Sequence, residues 1–201
     1  MPKQRDKEST KKRLVAALIE ILKRNGFSGI GVNAVAEKAG VSKVLLYRYF
    51  DNLDGLFRSA ADELDILKSD AILKAFLDDP KRPLRERVKE AFLKAHRELA
   101  ADKLAMQLMI QELSEENALT RALAEARERQ GIALTRRLAE ELREELDLEA
   151  FLALASSSIY YLTLRARSVR IYNGVDIQSE AGWERLCGLL ADIVVGSAGT
   201  T

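Results

Sequence analysis

Apolar residues recur at three- and four-residue spacing along most of the chain, the period of a helix with one buried face. Leu14, Ala17, Leu18, Ile21 and Leu22 form one such stripe, with Lys11, Lys12, Lys23 and Arg24 outside it. Asn25-Gly26 ends this first helix, because Gly accepts the left-handed conformation that a helix C-terminus needs. A short second helix is predicted over about 31–39, a tight turn at Gly40, and a third helix over Lys43 to Phe50 with Ser42 placed to cap it. Asp51 or Asn52 can cap a fourth, longer helix carrying Leu53, Leu56, Phe57, Ala60, Leu64 and Leu67. The stretch Asp78-Asp79-Pro80-Lys81-Arg82-Pro83 is the clearest break, since Pro disfavours helix at itself and just before. Beyond it, helices are expected over about 84–101, 104–113, 118–146, 149–172 and 179–195, before a Gly- and Ser-containing tail that frays. Asn173-Gly174 is read as the stop of the penultimate helix. The acid-rich run from Glu140 to Glu145 is a solvated helix face. The pattern contains no convincing strand and no repeat, and describes an all-α chain of about nine helices.

Composition adds bounds. At 201 residues, 47% apolar and 31% charged, the chain has the make-up of a soluble globular protein. No uncharged apolar run reaches the length of a spanning helix, and the start MPKQRDKEST has no apolar stretch like that of a signal peptide. The single cysteine, Cys187, cannot form an internal disulfide, so the expected compartment is the cytoplasm, with no membrane partner. Charge is unevenly placed: residues 1–50 carry eleven Lys or Arg against four acids, or +7, leaving −6 for the remainder of a chain whose net charge is +1. A basic head on an acidic body is the footprint of a polyanion-binding module. A basic N-terminus that merely aids solubility accounts for the charge equally well.

The segment Val35-Ala36-Glu37-Lys38-Ala39-Gly40-Val41-Ser42 has the chemistry of a helix-turn-helix. Ala36 and Ala39 permit close helix packing, Gly40 permits the turn, and Val35 and Val41 fill a small core. Such a unit lays its second helix in the major groove, where base edges carry a distinguishing pattern of donors and acceptors. In that helix Leu46 and Phe50 are four apart and face the core. Lys43, Val44, Tyr47 and Arg48 then lie on the opposite side, flanked by Leu45 and Tyr49, with Ser42 at its start. Lys, Arg and Tyr ends donate to phosphate oxygens, and Arg48 can also fork onto a guanine. That the two tyrosines simply cover the small core stands as the other reading.

Asn25-Gly26-Phe27, then Val35 to Ser42, then Leu46-Tyr47-Arg48-Tyr49-Phe50 and Leu56-Phe57 together resemble the TetR family over residues 10–58. The resemblance implies an all-helical homodimer. Its N-terminal three-helix, homeodomain-like helix-turn-helix domain, residues 1–58, would precede a C-terminal helical domain, residues 59–201, for ligand binding and dimerisation. It also implies a palindromic double-stranded operator, repression, and release when a small molecule binds. Carried onto matching positions, the DNA contacts are Asn33, Lys43, Val44, Leu45, Tyr47 and Tyr49. The chain departs from the family pattern at Ile30-Gly31, where a Thr-Ser or Thr-Thr cap is frequent, at Ala34 in place of Asp, at Leu45 in place of a small residue or Thr, and at Leu53 in place of Lys.

The last two helices carry wide apolar faces. Phe151, Leu152, Leu154, Ala155, Ile159, Leu162 and Ala166 lie on one. Trp183, Leu186, Leu189, Leu190, Ile193 and Val194 lie on the other. Two from each subunit suit a four-helix dimer interface, although burial within one subunit explains the same pattern. A ligand cavity is expected among residues 64 to 172, with Phe92, His96, Met106, Met109, Ile110, Leu113, Tyr160, Tyr161 and Arg165 as candidate lining residues. Plain core roles compete at each, foremost for His96 and for the Met106–Leu113 stripe. Arg165, Arg167 and Arg170 either pair with acids or meet an anionic ligand. One His, one Cys and no phosphate-cradling or metal-spaced motif argue against an enzyme, a resident cofactor or a metal site. A helical adaptor that has lost DNA binding is the competing class.

Overall fold

A computed structural model of the chain describes residues 2–27, 29–64, 68–142 and 146–196, with the side chains of 2–5 left aside. Ten helices and one small hairpin make up the described part: α1 (Pro2–Asn25), α2 (Val32–Ala39), α3 (Lys43–Phe50), α4 (Leu53–Glu63), α5 (Ser69–Leu77), α6 (Leu84–Ala101), α7 (Lys103–Ser114), α8 (Ala118–Ala139), α9 (Leu148–Arg165), β1 (Ile171–Tyr172), β2 (Val175–Asp176) and α10 (Glu180–Gly196). They fall into two compact units, one holding α1 to α4 with residues 107–128, the other the described residues of 68–106 and 129–196. Among the described residues no helix is long and apolar enough to cross a membrane.

In the first unit α1 packs on α2 and α4, and α3 on α2 and α4. The stripe Leu14, Ala17, Leu18, Ile21 and Leu22 is buried throughout, as the period requires. Val35, Leu46, Leu56 and Ala60 join them without exposure to solvent. Each Leu withdrawn from water in this way stabilises the unit by roughly 1.5–3 kcal/mol. Gly26, at φ 60°, follows the end of α1 in the left-handed region.

The second unit is built on α6, which packs against α5, α9 and α10. Ile72, Leu73 and Phe76 of α5 meet Val88 and Ala91 of α6, Leu138 of α8, and Ala191 and Val194 of α10. A second cluster gathers Leu93, Ile159, Trp183 and Cys187. Outside this core, ion pairs tie α6 to α10: Arg85 to Asp192 at 2.5 Å, Lys89 to Glu184 at 3.2 Å and Arg97 to Glu180 at 2.9 Å. Exposed pairs of this kind are individually weak, but their order along antiparallel helices sets the register.

Four expectations need correction. The fourth helix stops at Glu63, and an additional helix, α5, begins after Lys68, whose backbone is left-handed at φ 53°, so the described residues form ten helices where about nine were expected. Leu67 lies outside the described residues. The helix expected to reach Leu146 ends at Ala139, with 143–145 again outside the described part. The helix expected to reach Tyr172 ends at Arg165. Beyond that helix the chain forms a hairpin, pairing Ile171 with Asp176 and Tyr172 with Val175. Asn173 and Gly174, at φ 47° and 80°, supply the two positive φ values of a tight two-residue hairpin turn. The dipeptide read as a helix stop is therefore a strand-to-strand turn.

Candidate DNA-reading helix and effector pocket

The turn between α2 and α3 is built by a paired set of backbone bonds. Gly40, left-handed at φ 63°, donates its N–H to the Glu37 carbonyl at 3.0 Å, and Val41 donates to Ala36 at 3.0 Å. This is the arrangement that closes a helix whose next residue is Gly. Arg13 of α1 adds a lock: its guanidinium donates to the Ala39 carbonyl at 2.6 Å and to Gly40 at 3.0 Å, placing a cation on the negative end of α2. Lys38 of α2 is held to Glu20 of α1 at 2.5 Å, and this keeps the Glu20 carboxyl below its usual range. Sequence reasoning passed over Arg13, because nothing in the spacing of a lone basic residue shows that it reaches across to another helix.

Two caps differ from expectation. Ser42 is at the start of α3, yet its hydroxyl accepts no capping bond, and the helix begins on its carbonyl, which takes the Leu45 N–H at 3.0 Å. Gly31 starts α2 with no side chain to offer. Between the two residues considered for α4, Asn52 is the cap, accepting from the Gly55 N–H at 2.9 Å. Gly55 itself permits a close approach, since a Cβ there would lie 2.1 Å from the Phe50 carbonyl oxygen.

The faces of α3 separate cleanly. Leu46 is fully buried and Phe50 is buried beside it, while Val44 is 57% and Tyr47 48% exposed. Lys43, Arg48, Ser42 and, on α2, Asn33 are exposed as well; Leu45 and Tyr49 are half-buried. Lys7 of α1 stands 5.9 Å over the Tyr49 ring, which adds a cation beside that edge. The helix contains no acid, and neither Lys43 nor Arg48 makes an ion pair among the described residues. A short helix thus presents two uncommitted cations, a phenol and an apolar side chain on one open face, the equipment for phosphate and base-edge contact.

The second unit contains a pocket of about 410 Å³ between α6, α9, the segment after the hairpin and the start of α10. Among its lining residues the His96 ring is stacked on the buried Trp183 indole, centroids 3.6 Å apart and planes 14° from parallel. His96 Nδ1 lies 3.0 Å from the buried Thr163 hydroxyl, and burial, with Arg97 next to it, pushes the imidazole down to about 4, so the ring is neutral at pH 7. The wall is rigid: the Trp183 indole N–H donates to the Ile177 carbonyl at 2.8 Å, Ser179 accepts from the Gly182 N–H at 3.1 Å, and Gln178 donates to Ala166 at 2.7 Å. A Cβ on Gly182 would meet the Asp176 carbonyl oxygen at 1.9 Å, so only Gly lets α10 start against the hairpin. Of the expected lining residues, His96 and Met106 are brought together here. Phe92 packs edge-on to Phe151, Tyr161 is exposed against Tyr172, and Arg165 is exposed. Tyr160 is half-buried outside the pocket, and Met109, Ile110 and Leu113 belong to the other unit, with Met109 in its core and Leu113 78% exposed. Arg167, weighed from the sequence as a partner of acids or of an anionic ligand, lines the pocket, and so do Ile177 and Trp183, which were not foreseen there because they follow a hairpin that the sequence did not reveal.

The first unit, with its two short helices at a Gly turn and an open basic recognition face, makes this a helix-turn-helix protein. Residues 14–60 match the family model described as bacterial regulatory proteins, tetR family. Over those residues the chain carries a TetR-family N-terminal domain. Solved structures resemble it over nearly its whole length. A TetR-family transcriptional regulator of Mesorhizobium loti MAFF303099 is 18% identical with a TM-score of 0.64, covering 94% of this chain and 96% of that one. The fatty acid degradation regulator FadR of Bacillus halodurans is 17% identical, TM-score 0.60, covering 96% and 97%. Thermus thermophilus FadR, a TetR-family transcriptional repressor solved with lauroyl-CoA, is 19% identical, TM-score 0.59, covering 90% and 93%. At such identities the likeness establishes the fold, which is that of TetR-family transcription regulators. No curated protein matches the chain.

Proposed function

We propose that this chain is a sequence-specific transcriptional repressor that grips a palindromic operator as a homodimer and releases it when a small molecule binds. Residues 1–58 read the DNA and residues 59–201 bind the effector and pair the subunits. The observation that carries this reading is the division of α3, with Leu46 and Phe50 inward and Lys43, Val44, Tyr47 and Arg48 outward. Pairing is supported by large apolar side chains left open on the last two helices, Leu154 at 73% and Leu189 at 61% exposure, with Tyr161 and Ile193 alongside. Two-fold readers need two half-sites about 34–36 Å apart or a multiple of it, which a dimer supplies. Response to a small molecule is supported by the pocket in the second unit and by the ligand-bound relative of the same fold.

The test starts with DNA selected from random or genomic fragments. Tyr47→Ala and Lys43→Ala should each weaken binding to the selected duplex by about 1–3 kcal/mol. Sedimentation should show the dimer unchanged. Undiminished affinity in both variants at controlled salt would take α3 out of the interface, and failure to select any duplex would favour an adaptor.

A further inference from the structure

The turn that carries α3 concentrates its freedom in one residue. Gly40, the residue type with the widest choice of φ and ψ, joins two peptide planes: the Ala39 carbonyl belongs to the plane before it and its own carbonyl to the plane after it. One nitrogen of Arg13, Nη2, donates to both carbonyls, to Ala39 at 2.6 Å and to Gly40 at 3.0 Å. Holding both planes from a point on α1 fixes the two dihedral angles between them, φ 63° and ψ 39°. A Cβ at position 40 would lie 3.1 Å from the same nitrogen, so the bare glycine backbone gives the guanidinium its room. Arg13 makes no ion pair among the described residues, and these two bonds are its commitment. Other restraints do not do the same. The turn's own bonds, from Gly40 to Glu37 and from Val41 to Ala36, tie it to α2 alone. Lys38 holds α2 to Glu20 of α1 but lies before the turn. α2 and α3 have eight residues each, too short to be stable by themselves, and neither start carries a side-chain capping bond. Burial of Leu46 and Phe50 seats α3 on the core, but apolar contact has no direction.

We infer that Arg13 is a positioning residue for DNA reading: by clamping the planes on either side of Gly40 it sets the angle at which α3 meets base edges, and so governs discrimination between sequences. The effect on DNA rests on the regulator reading; the clamp on the turn stands on its own geometry. Hydrogen bonds to base edges weaken steeply with misalignment, whereas attraction to phosphates falls off slowly with distance. A released turn therefore loses discrimination first and general affinity for DNA hardly at all.

Full-length Arg13→Gln is compared with the parent on the selected duplex and on a scrambled duplex of equal length, across a range of salt. The ratio of the two affinities should fall at least about tenfold, the cost of roughly one misread base pair. Affinity for the scrambled duplex should change by less than about twofold, with its salt slope unaltered. Amide exchange at Gly40 and Val41, whose N–H groups bond across the turn, should quicken in the variant with no DNA present. A direct phosphate contact by Arg13 would instead weaken both duplexes alike and lower the slope by about 0.9, and that result overturns the inference. Equal weakening on both duplexes at an unaltered slope, the mark of a domain merely loosened, overturns it too. Should Arg13→Gln not fold, Arg13→Lys, which keeps the charge on a shorter stem, is put through the same comparison and judged by the same criteria. Duplex selection by the parent, with discrimination and exchange the same in the variant, overturns the clamp and leaves the regulator reading intact. Faster exchange at the turn in a chain that selects no duplex supports the clamp and overturns the regulator reading.

Discussion

His96 and Cys187 show how burial, more than neighbouring charge, sets the chemistry of a side chain. Both sit by Trp183, one stacked on its ring and the other in the same apolar cluster. Burial pushes the thiol of Cys187 up to about 12, so the native protein should resist a thiol reagent that labels it at once after denaturation. Rapid native labelling would show that the cluster opens. The imidazole is shifted the other way, from 6.5 to about 4. An unfolded chain therefore takes up a proton between those values that the folded chain refuses. Stability should decline as pH falls from about 6.5 towards about 4 and be fully restored above that window. Denaturant midpoints measured across it should follow that course, and His96→Gln should lose the histidine's part of the slope; an identical slope in the variant would contradict it. The histidine's hydrogen-bonded, half-buried setting could be weighed from the sequence, because Phe92, His96 and Leu99 recur at helical spacing. Its stacking partner could not, because Trp183 arrives from nearly ninety positions along the chain.

At the level of elements, the legible part was whatever repeats with the helical period. The stripe of α1 and the inward pair Leu46 and Phe50 follow from spacing, and the limits of α3 from the Gly40 turn and Ser42 at its start; the structure places all of them as expected, although the Ser42 hydroxyl makes no capping bond. Misreadings gather where one residue reverses the backbone. Lys68 takes a left-handed conformation uncommon for its type, and Asn173-Gly174 serves helix ends and hairpins with the same dihedral angles. The pocket of the second unit was hidden for the same reason, part of its wall being the segment after that hairpin. Glycines in helices were the other missed signal. Gly55→Ala would drive a methyl into the Phe50 carbonyl, forcing α3 and α4 apart. Loss of thermal stability by several degrees together with weakened duplex binding is expected, roughly the effect of 1–3 kcal/mol of overpacking in a unit of this size. A variant as stable as the parent would mean that the two helices approach less closely. Leu46→Ala should cost about 2–5 kcal/mol, through the cavity it opens under the reading face.

Across the whole molecule, the charge asymmetry seen in the sequence acquires a location. Among the cations of the first fifty residues, Arg13 is committed to the α2 terminus and Lys38 to Glu20, whereas Lys43 and Arg48 stand uncommitted on the open face of α3. Uncommitted cations of this kind are available to displace counterions from a duplex. In the proposed function the apolar residues open on α9 and α10 are the pairing surface, so a dimer is expected to survive every substitution on α3. Affinity for the selected duplex, followed as a function of salt concentration, tests the central claim most directly. Log affinity should fall steeply and linearly with log salt, and Lys43→Ala should lower the slope by about 0.9 for each phosphate the lysine neutralises on the duplex. An affinity indifferent to salt, or a slope unchanged when Lys43 is removed, would contradict the placement of α3 against DNA.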